Sequence, residues 1–288
     1  LDGTMFPNET VVADFMDLLA VGLVAYGYRK VGERPRWHKR YLINDKKVLR
    51  LMQDNRVTLP RRSDPGAADR KRITEKVPQP SGPRQRIEVD IKYVRVQGKR
   101  NNALVLNFVD LFHREWLPFS AGWTIRKEDF IRMLRAIFGD VPLADTGLHL
   151  VIRTDNGSQF IATDVAIWMG QMGISHEFIH PATPEENAHV ESFHYIMQRA
   201  MVRNREFESL EELRETLARF RHFYNYERLH SATCQRPPMV FLELWKQGHV
   251  KEKYDSKKKR IFILSKEGRL RPPFSERNCF SYSNVIHN

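Results

Sequence analysis

Three acidic residues, Asp90, Asp155 and Glu191, have a setting that suggests chemistry. Asp155 lies in R-T-D-N-G-S-Q-F (Arg153 to Phe160) and Glu191 in E-N-A-H-V-E-S-F-H (Glu186 to His194). Three carboxylates gathered from separate elements can hold two divalent cations. A metal pair about 3.5–4 Å apart activates a water or hydroxyl and stabilises the leaving oxygen of a phosphodiester. Oxygen donors suit Mg²⁺, or Mn²⁺, rather than zinc. The chain has 47 Lys and Arg against 35 Asp and Glu, a formal net charge of +12. Such an excess attracts a polyanion, so the phosphodiester that fits is nucleic acid.

Each acid needs an element to hold it. Ile87, Val89, Ile91 and Tyr93 alternate with Glu88, Asp90 and Lys92, the period of a strand. Asp90 takes the polar parity, so its carboxylate is expected on the more open face of a sheet. Ala103 to Val109 is an apolar run suited to a central strand, and Glu115 to Trp123 reads as a third strand. Arg126 to Phe138 reads as a helix and Leu148 to Ile152 as a buried strand. Asp155 follows that strand, where open α/β sheets place ligand-binding groups, and Asn156-Gly157 is a tight-turn dipeptide. Thr163 to Met172 reads as a helix capped by Thr163, and Ile174 to Ile179 as another strand. In a helix from Glu185 to Arg203, Asn187, Glu191, His194 and Gln198 share a polar face beside a buried stripe of Val190, Phe193 and Met197. Helices at Ser209 to Tyr224 and Pro237 to Gln247 complete the pattern. The order predicts a mixed α/β unit over 87–248, with helices on both faces of one sheet.

The flanks differ in character. Residues 1–58 read as a helical unit, with Asn8 capping a first helix through Val11, Phe15, Leu18 and Leu19. A glycine-punctuated stretch, A-Y-G-Y-R-K-V-G-E-R-P, leads to N-D-K-K-V-L-R-L-M-Q-D-N from Asn44. There Val48, Leu51 and Met52 share one face and Lys46, Lys47 and Arg50 point elsewhere. Helix, turn and basic helix is the pattern of a helix-turn-helix DNA reader, with those three cations as contacts. Residues 59–86 form a basic linker rich in proline, and 249–288 a basic tail that is either a small β unit or an arm.

Several other classes are disfavoured. The most apolar run, Leu18 to Tyr26, is far shorter than a membrane span and follows acidic residues, unlike a signal peptide. Cys234 and Cys279 form no zinc or redox spacing, which points to a reducing cytoplasmic setting. His176-Glu177-Phe178-Ile179-His180 matches H-E-x-x-H, but it alternates like a strand between Gly173 and Pro181, whereas that zinc site needs a helix. A chain that begins with Leu1 reads as a fragment or as part of a longer product.

The chain resembles the retroviral-integrase-like DDE transposases of bacterial insertion sequences, in particular the group made from two overlapping reading frames. The resemblance rests on Y-G-Y-R-K (Tyr26 to Lys30), V-D-I-K-Y (Val89 to Tyr93), V-D-L-F-H-R (Val109 to Arg114), D-N-G-S-Q-F, P-E-E-N-A-H-V-E-S-F-H and Y-N-Y-E-R-L-H-S (Tyr224 to Ser231) with Pro237. It implies an RNase H-like catalytic core, with Asp90, Asp155 and Glu191 as a catalytic triad holding two Mg²⁺ ions. It further implies cleavage at transposon ends, attack of the freed 3′ hydroxyl on another phosphodiester, double-stranded DNA as partner, and a homo-oligomer bridging two DNA ends near the bacterial nucleoid. Further DNA contacts are expected at Arg29, Lys30, Gln159, Asn187, His194 and Arg199. The chain departs from the family pattern in places. Ile87 and Glu88 stand where an aromatic is common before the first Asp, and Lys92 and Tyr93 where a Thr is common after it. Gln198, beside Arg199, replaces a usual Lys or Arg. The His/Cys zinc domain of retroviral integrases has no counterpart. The competing readings are an RNase H-like nuclease that cuts without joining, and a DNA-binding regulator with a silent centre. The intact triad argues against the second.

Overall fold

The computed structural model describes residues 6–20, 26–38, 43–58, 79–140, 142–143, 147–180, 187–202, 206–254 and 260–270. Its centre is a five-stranded sheet in the order β3-β2-β1-β4-β5. Strands β1 (Arg86–Val94), β2 (Ala103–Asp110) and β3 (Ser120–Gly122) form an antiparallel meander. Strands β4 (Val151–Thr154) and β5 (Ser175–Phe178) extend the sheet in parallel from β1. This mixed five-stranded order, with helices on both faces, is the RNase H-like architecture expected from the sequence.

Strand alternation divides the interior into two layers. Ile87, Val89, Leu106 and Phe108 pack against α4 (Lys127–Phe138) and α6 (Thr163–Gln171), through Phe130, Leu134, Val165 and Met169. Val94, Val105, Val109 and Trp116 pack on the opposite face against α7 (Ala188–Met197) and α8 (Leu210–Tyr226), through Val190, Phe193, Leu217 and Phe220. The short α5 (Ser158–Ile161) follows β4. The face that carries Asp90 is therefore covered by helices. It is not the open face expected.

Element boundaries differ where long-range contacts override local pattern. The third strand is interrupted: Trp116 bridges Val109, with Leu117 donating to the Phe108 carbonyl at 3.0 Å, Pro118 has no N–H for the ladder, and pairing resumes at Ser120. On its other side Trp116 is held by Asn225, which accepts from its N–H at 2.9 Å and donates to its carbonyl at 2.8 Å. β4 begins at Val151, with Leu148 and Leu150 ahead of it. Ala162, not Thr163, is the N-cap of α6. Helix α7 starts at Ala188 and ends in a π turn, Gln198–Val202, so the single helix expected to reach Arg203 is interrupted.

The N-terminal unit comprises α1 (Asn8–Ala20), α2 (Tyr28–His38) and α3 (Asp45–Asp54). The glycine-punctuated stretch is thus largely helical. Gly32 has a packing reason, because a Cβ there would sit 3.0 Å from Val48 Cγ2 on α3. Asn44 caps α3 by accepting the Lys47 N–H at 2.8 Å. The unit's apolar centre, with Val11, Phe15, Val31, Val48 and Met52, also takes in Leu229 from beyond α8. After α9 (Pro238–Lys246), strands β6 (Val250–Tyr254) and β7 (Arg260–Leu264) form a hairpin followed by α10 (Lys266–Leu270). The first part of the basic tail is therefore a small β unit. Its remainder, 271–288, and linker residues 59–78 lie outside the described residues. No described helix is long and apolar enough to cross a membrane.

Candidate active site

Strand register makes Asp90 and Asp155 neighbours. Glu88 on β1 lies opposite Arg153 on β4 in a parallel pair. Two residues further along both chains, on the same face, come Asp90 and Asp155. Asp155 caps its own turn, with Oδ1 accepting the Gly157 N–H at 2.9 Å. Asn156 ties that turn to the end of β5 by donating to the Ile179 carbonyl at 3.0 Å. A Cβ on Gly157 would run into the Gln159 side-chain amide and stand 3.0 Å from Asp155 Oδ1, so a larger residue would have to push aside both side chains of the turn.

The third acid is placed by a residue that the sequence did not single out as functional. Glu88 is 2% exposed, and its Oε2 accepts the backbone N–H groups of His189 at 3.0 Å and Val190 at 2.8 Å. These are two of the otherwise unpaired donors at the start of α7, where a carboxylate also suits the helix dipole. Glu191 sits in the first turn of that helix. One strand therefore carries Asp90 and also the clamp for the helix carrying Glu191. The available signal was an acid on Asp90's parity where the family often has an aromatic. Burial pushes the Glu88 carboxyl up to about 7, against the pull of the Val190 N–H and of Arg114 and Arg153.

Asp90 feels both of the other acids. Burial, then the charges of Asp155 and Glu191, push the Asp90 carboxyl up to about 6, despite the 2.8 Å hydrogen bond it accepts from the Ile91 N–H. Among the described residues, no group of three or more His, Cys, Asp or Glu side chains stands at metal-holding spacing. The trio is thus within electrostatic reach but not closed to ligand distance. Its all-oxygen donors and mutual repulsion fit a hard divalent cation in kind.

His194, on α7, turns inward. It is 7% exposed, and Asn107 Nδ2, oriented by donating to the Val105 carbonyl, lies 3.0 Å from its Nε2. That contact makes Nε2 the acceptor and leaves the proton on Nδ1, which faces Asp90 Oδ2 at 3.5 Å. Burial, with Lys92, lowers the imidazole to about 3, so it is neutral and the contact is not an ion pair. Asn187 is 3% exposed. Both side chains are buried in the chain alone, whereas the polar face of the helix led them to be expected at the DNA surface. For His194 the cause is the polar sheet surface at Asn107 and Asp90, which receives its ring. Val190, Phe193 and Met197 form the buried stripe as expected.

The other expected contacts lie elsewhere. Lys46 and Arg50 are exposed on α3 and Lys47 is half-buried there. Arg29 is exposed, and Lys30 and Gln159 are half-buried. Arg199 donates to Tyr195 Oη at 2.9 Å. The H-E-x-x-H match is strand β5, as its alternation implied. Its Glu177 accepts from Arg86 at 2.7 and 3.1 Å and from Arg153 at 2.8 Å. Burial alone would raise that carboxyl, but the two guanidinium groups hold it below the usual range.

Comparison with known proteins agrees with the topology. Two integrase core domain models match, one over residues 80–184 and one over 172–238. The "Insertion element IS476 uncharacterized 39.2 kDa protein" of Xanthomonas euvesicatoria is 28% identical over 228 residues, 75% of this chain and 60% of the relative. The "Transposase for insertion sequence element IS904" of Lactococcus lactis is 25% identical over 139 residues, 46% of this chain and 52% of the relative. A 31.7 kDa IS407 protein of Burkholderia multivorans is 26% identical, with 81% of each chain covered. The chain thus spans 60% and 52% of the length of the first two. Among solved structures, the HTLV-2 integrase catalytic core domain in complex with magnesium matches 52% of this chain and 91% of that chain, at 15% identity and a TM-score of 0.35. Integrase core domain matches running from residue 80 to 238, together with the insertion-element relatives, support a retroviral-integrase-like transposase of the insertion-sequence type.

Proposed function

We propose that the protein is a DNA transposase that cuts the phosphodiesters at transposon ends and joins the freed 3′ hydroxyl to target DNA. What supports this reading is that strand register sets Asp90 and Asp155 side by side on one face, while Glu88, two residues before Asp90, holds the start of the helix that carries Glu191. Asp90 and Asp155 would share the cations and Glu191 would complete the second position. When bound, a pair of Mg²⁺ ions activates the attacking oxygen and stabilises the leaving one. The chain's own groups do the positioning. Glu88 fixes the start of α7, Gly157 lets the Asp155 turn close, and the neutral His194 directs a proton towards Asp90. The basic helix α3, with Lys46, Lys47 and Arg50, would lie along DNA phosphates. The integrase core domain matches and the +12 charge support double-stranded DNA as substrate. Assembly as a homo-oligomer on two DNA ends, near the nucleoid, follows from the same reading.

The test is strand transfer in Mg²⁺ with Asp155→Asn and Glu191→Gln. Each should lose activity by a thousandfold or more while keeping duplex binding, on the order expected for removing a transition-state charge group. Undiminished joining by Asp155→Asn would end the mechanism. Nicks without joined products would instead identify a nuclease. Duplex binding with no cleavage by the unaltered chain would identify a regulator.

A further inference from the structure

Two segments 203 residues apart, Y-G-Y-R-K and E-R-L-H, meet where the helical unit joins the core. Leu229 donates its N–H to Tyr26 Oη at 2.8 Å. Over the same Tyr26 ring stand two cations, Lys30 with Nζ 5.6 Å from the ring centre and Arg228 with Cζ 5.7 Å from it. Arg228 is 4% exposed and Lys30 half-buried. Among the described residues, neither has an ion-pair partner, and the hydrogen bond that Arg228 makes is to the Leu229 carbonyl at 3.1 Å. His230, buried beside them against Tyr224, leaves Nε2 without a hydrogen-bond partner.

Burying like charges together without a counter-charge is costly, and aromatic-face contact offsets only part of that cost. The strain is visible at Lys30, whose amine is brought down to about 7 by burial and then by Arg228. An anion beside Lys30 would relieve both cations. A phosphate oxygen suits an ammonium and a guanidinium together.

The geometry points to a phosphate-binding site formed by Lys30 and Arg228 on the Tyr26 ring, at the seam between the helical unit and the catalytic core, filled by a backbone phosphate of duplex DNA. Lys30 supplies the reachable head and Arg228 the buried positive field behind it. The site rests on the nucleic-acid reading only for the source of its phosphate. It adds the seam to the DNA-contacting surface, with Arg228 acting from beneath it.

The experiment uses the full chain and Lys30→Met, a change that removes a buried repulsion and so preserves folding, with the exposed Lys99→Met as control. In the first arm, inorganic phosphate is titrated against chloride at constant ionic strength and Tm is followed. Phosphate should raise the Tm of the unaltered chain and of Lys99→Met, and the rise should be lost in Lys30→Met. In the second arm, duplex affinity is measured across a salt series. Lys30→Met should bind roughly fivefold more weakly, with the log K against log salt slope shallower by about one. A phosphate response that persists in Lys30→Met, or that is missing from the unaltered chain, overturns the site. A response lost in Lys30→Met beside unchanged duplex binding keeps the site but makes free phosphate its ligand. If no form binds duplex yet the Tm response behaves as expected, the site stands and the transposase reading falls.

Discussion

Glu88→Gln separates the charge of Glu88 from its hydrogen bonding. The glutamine carbonyl keeps an acceptor for the His189 and Val190 N–H groups, so the start of α7 stays anchored. What disappears is the ionisable group. Burial moves that carboxyl from 4.5 to about 7, which disfavours its ionised form in the folded chain by about 3 kcal/mol. Because the folded value is raised, the contribution of Glu88 to stability is complete below pH 4.5 and is lost as pH climbs through about 7. Urea unfolding in metal-free buffer, from pH 5 to 8.5, should therefore show Glu88→Gln gaining on the unaltered chain as pH rises, by up to about 3 kcal/mol. Other titrating groups are common to both proteins and cancel in the difference. Parallel stability curves for the two proteins would refute the assignment to this position of a buried charge whose desolvation outweighs its partners. Glu88→Ala should be worse at every pH, by about 2–4 kcal/mol, because it strands buried donors at the head of the helix.

Three further outcomes are expected. Gly157→Ala, at an ordinary φ of −61°, should displace Gln159 and Asp155 and cut Mg²⁺-dependent strand transfer at least tenfold, with stability changed by about 1 kcal/mol or less; full activity would show that the turn has slack. Buried His113 lies 3.2 Å from Asp110 and 3.0 Å from Glu115; burial opposes its charge, but the two acids hold it up to about 9. The stability from that raised value is complete below pH 6.5 and lost as pH passes about 9, so His113→Asn should cost about 2–4 kcal/mol at pH 6 and less at pH 9.5, and a pH-independent loss in chemical denaturation would contradict the charged pair. Tyr26→Phe removes the acceptor for the Leu229 N–H, at a cost of about 1 kcal/mol, and should speed hydrogen exchange at that amide; unchanged exchange would mean that the bond contributes nothing.

The sheet was legible where its pattern is local. Alternation from Ile87 to Tyr93 marks β1 and the parity of Asp90, and the apolar run before Asp155 marks a strand ending at a site. What was hidden depends on distant partners. Asn187 and His194 look like a solvent face along the helix, but the surface that receives them is set by Asn107 on β2. Glu88 reads as an ordinary polar residue of a strand until the backbone it holds, 101 residues away at His189, folds against it. Trp116 was expected in a long third strand and does bridge β2, but its outer edge is taken by the amide of Asn225, 109 residues on, a partner that local pattern cannot show.

Leu229 is a peg of the catalytic half seated in a socket of the helical half. The helical half thus completes its apolar centre with a residue of the catalytic half. A chain cut back to its catalytic half would expose that peg to water, together with the buried guanidinium next to it in sequence. Such a truncation would become stickier and less soluble, and a rotation of the helical half on capturing DNA would pull directly on the segment that ends α8.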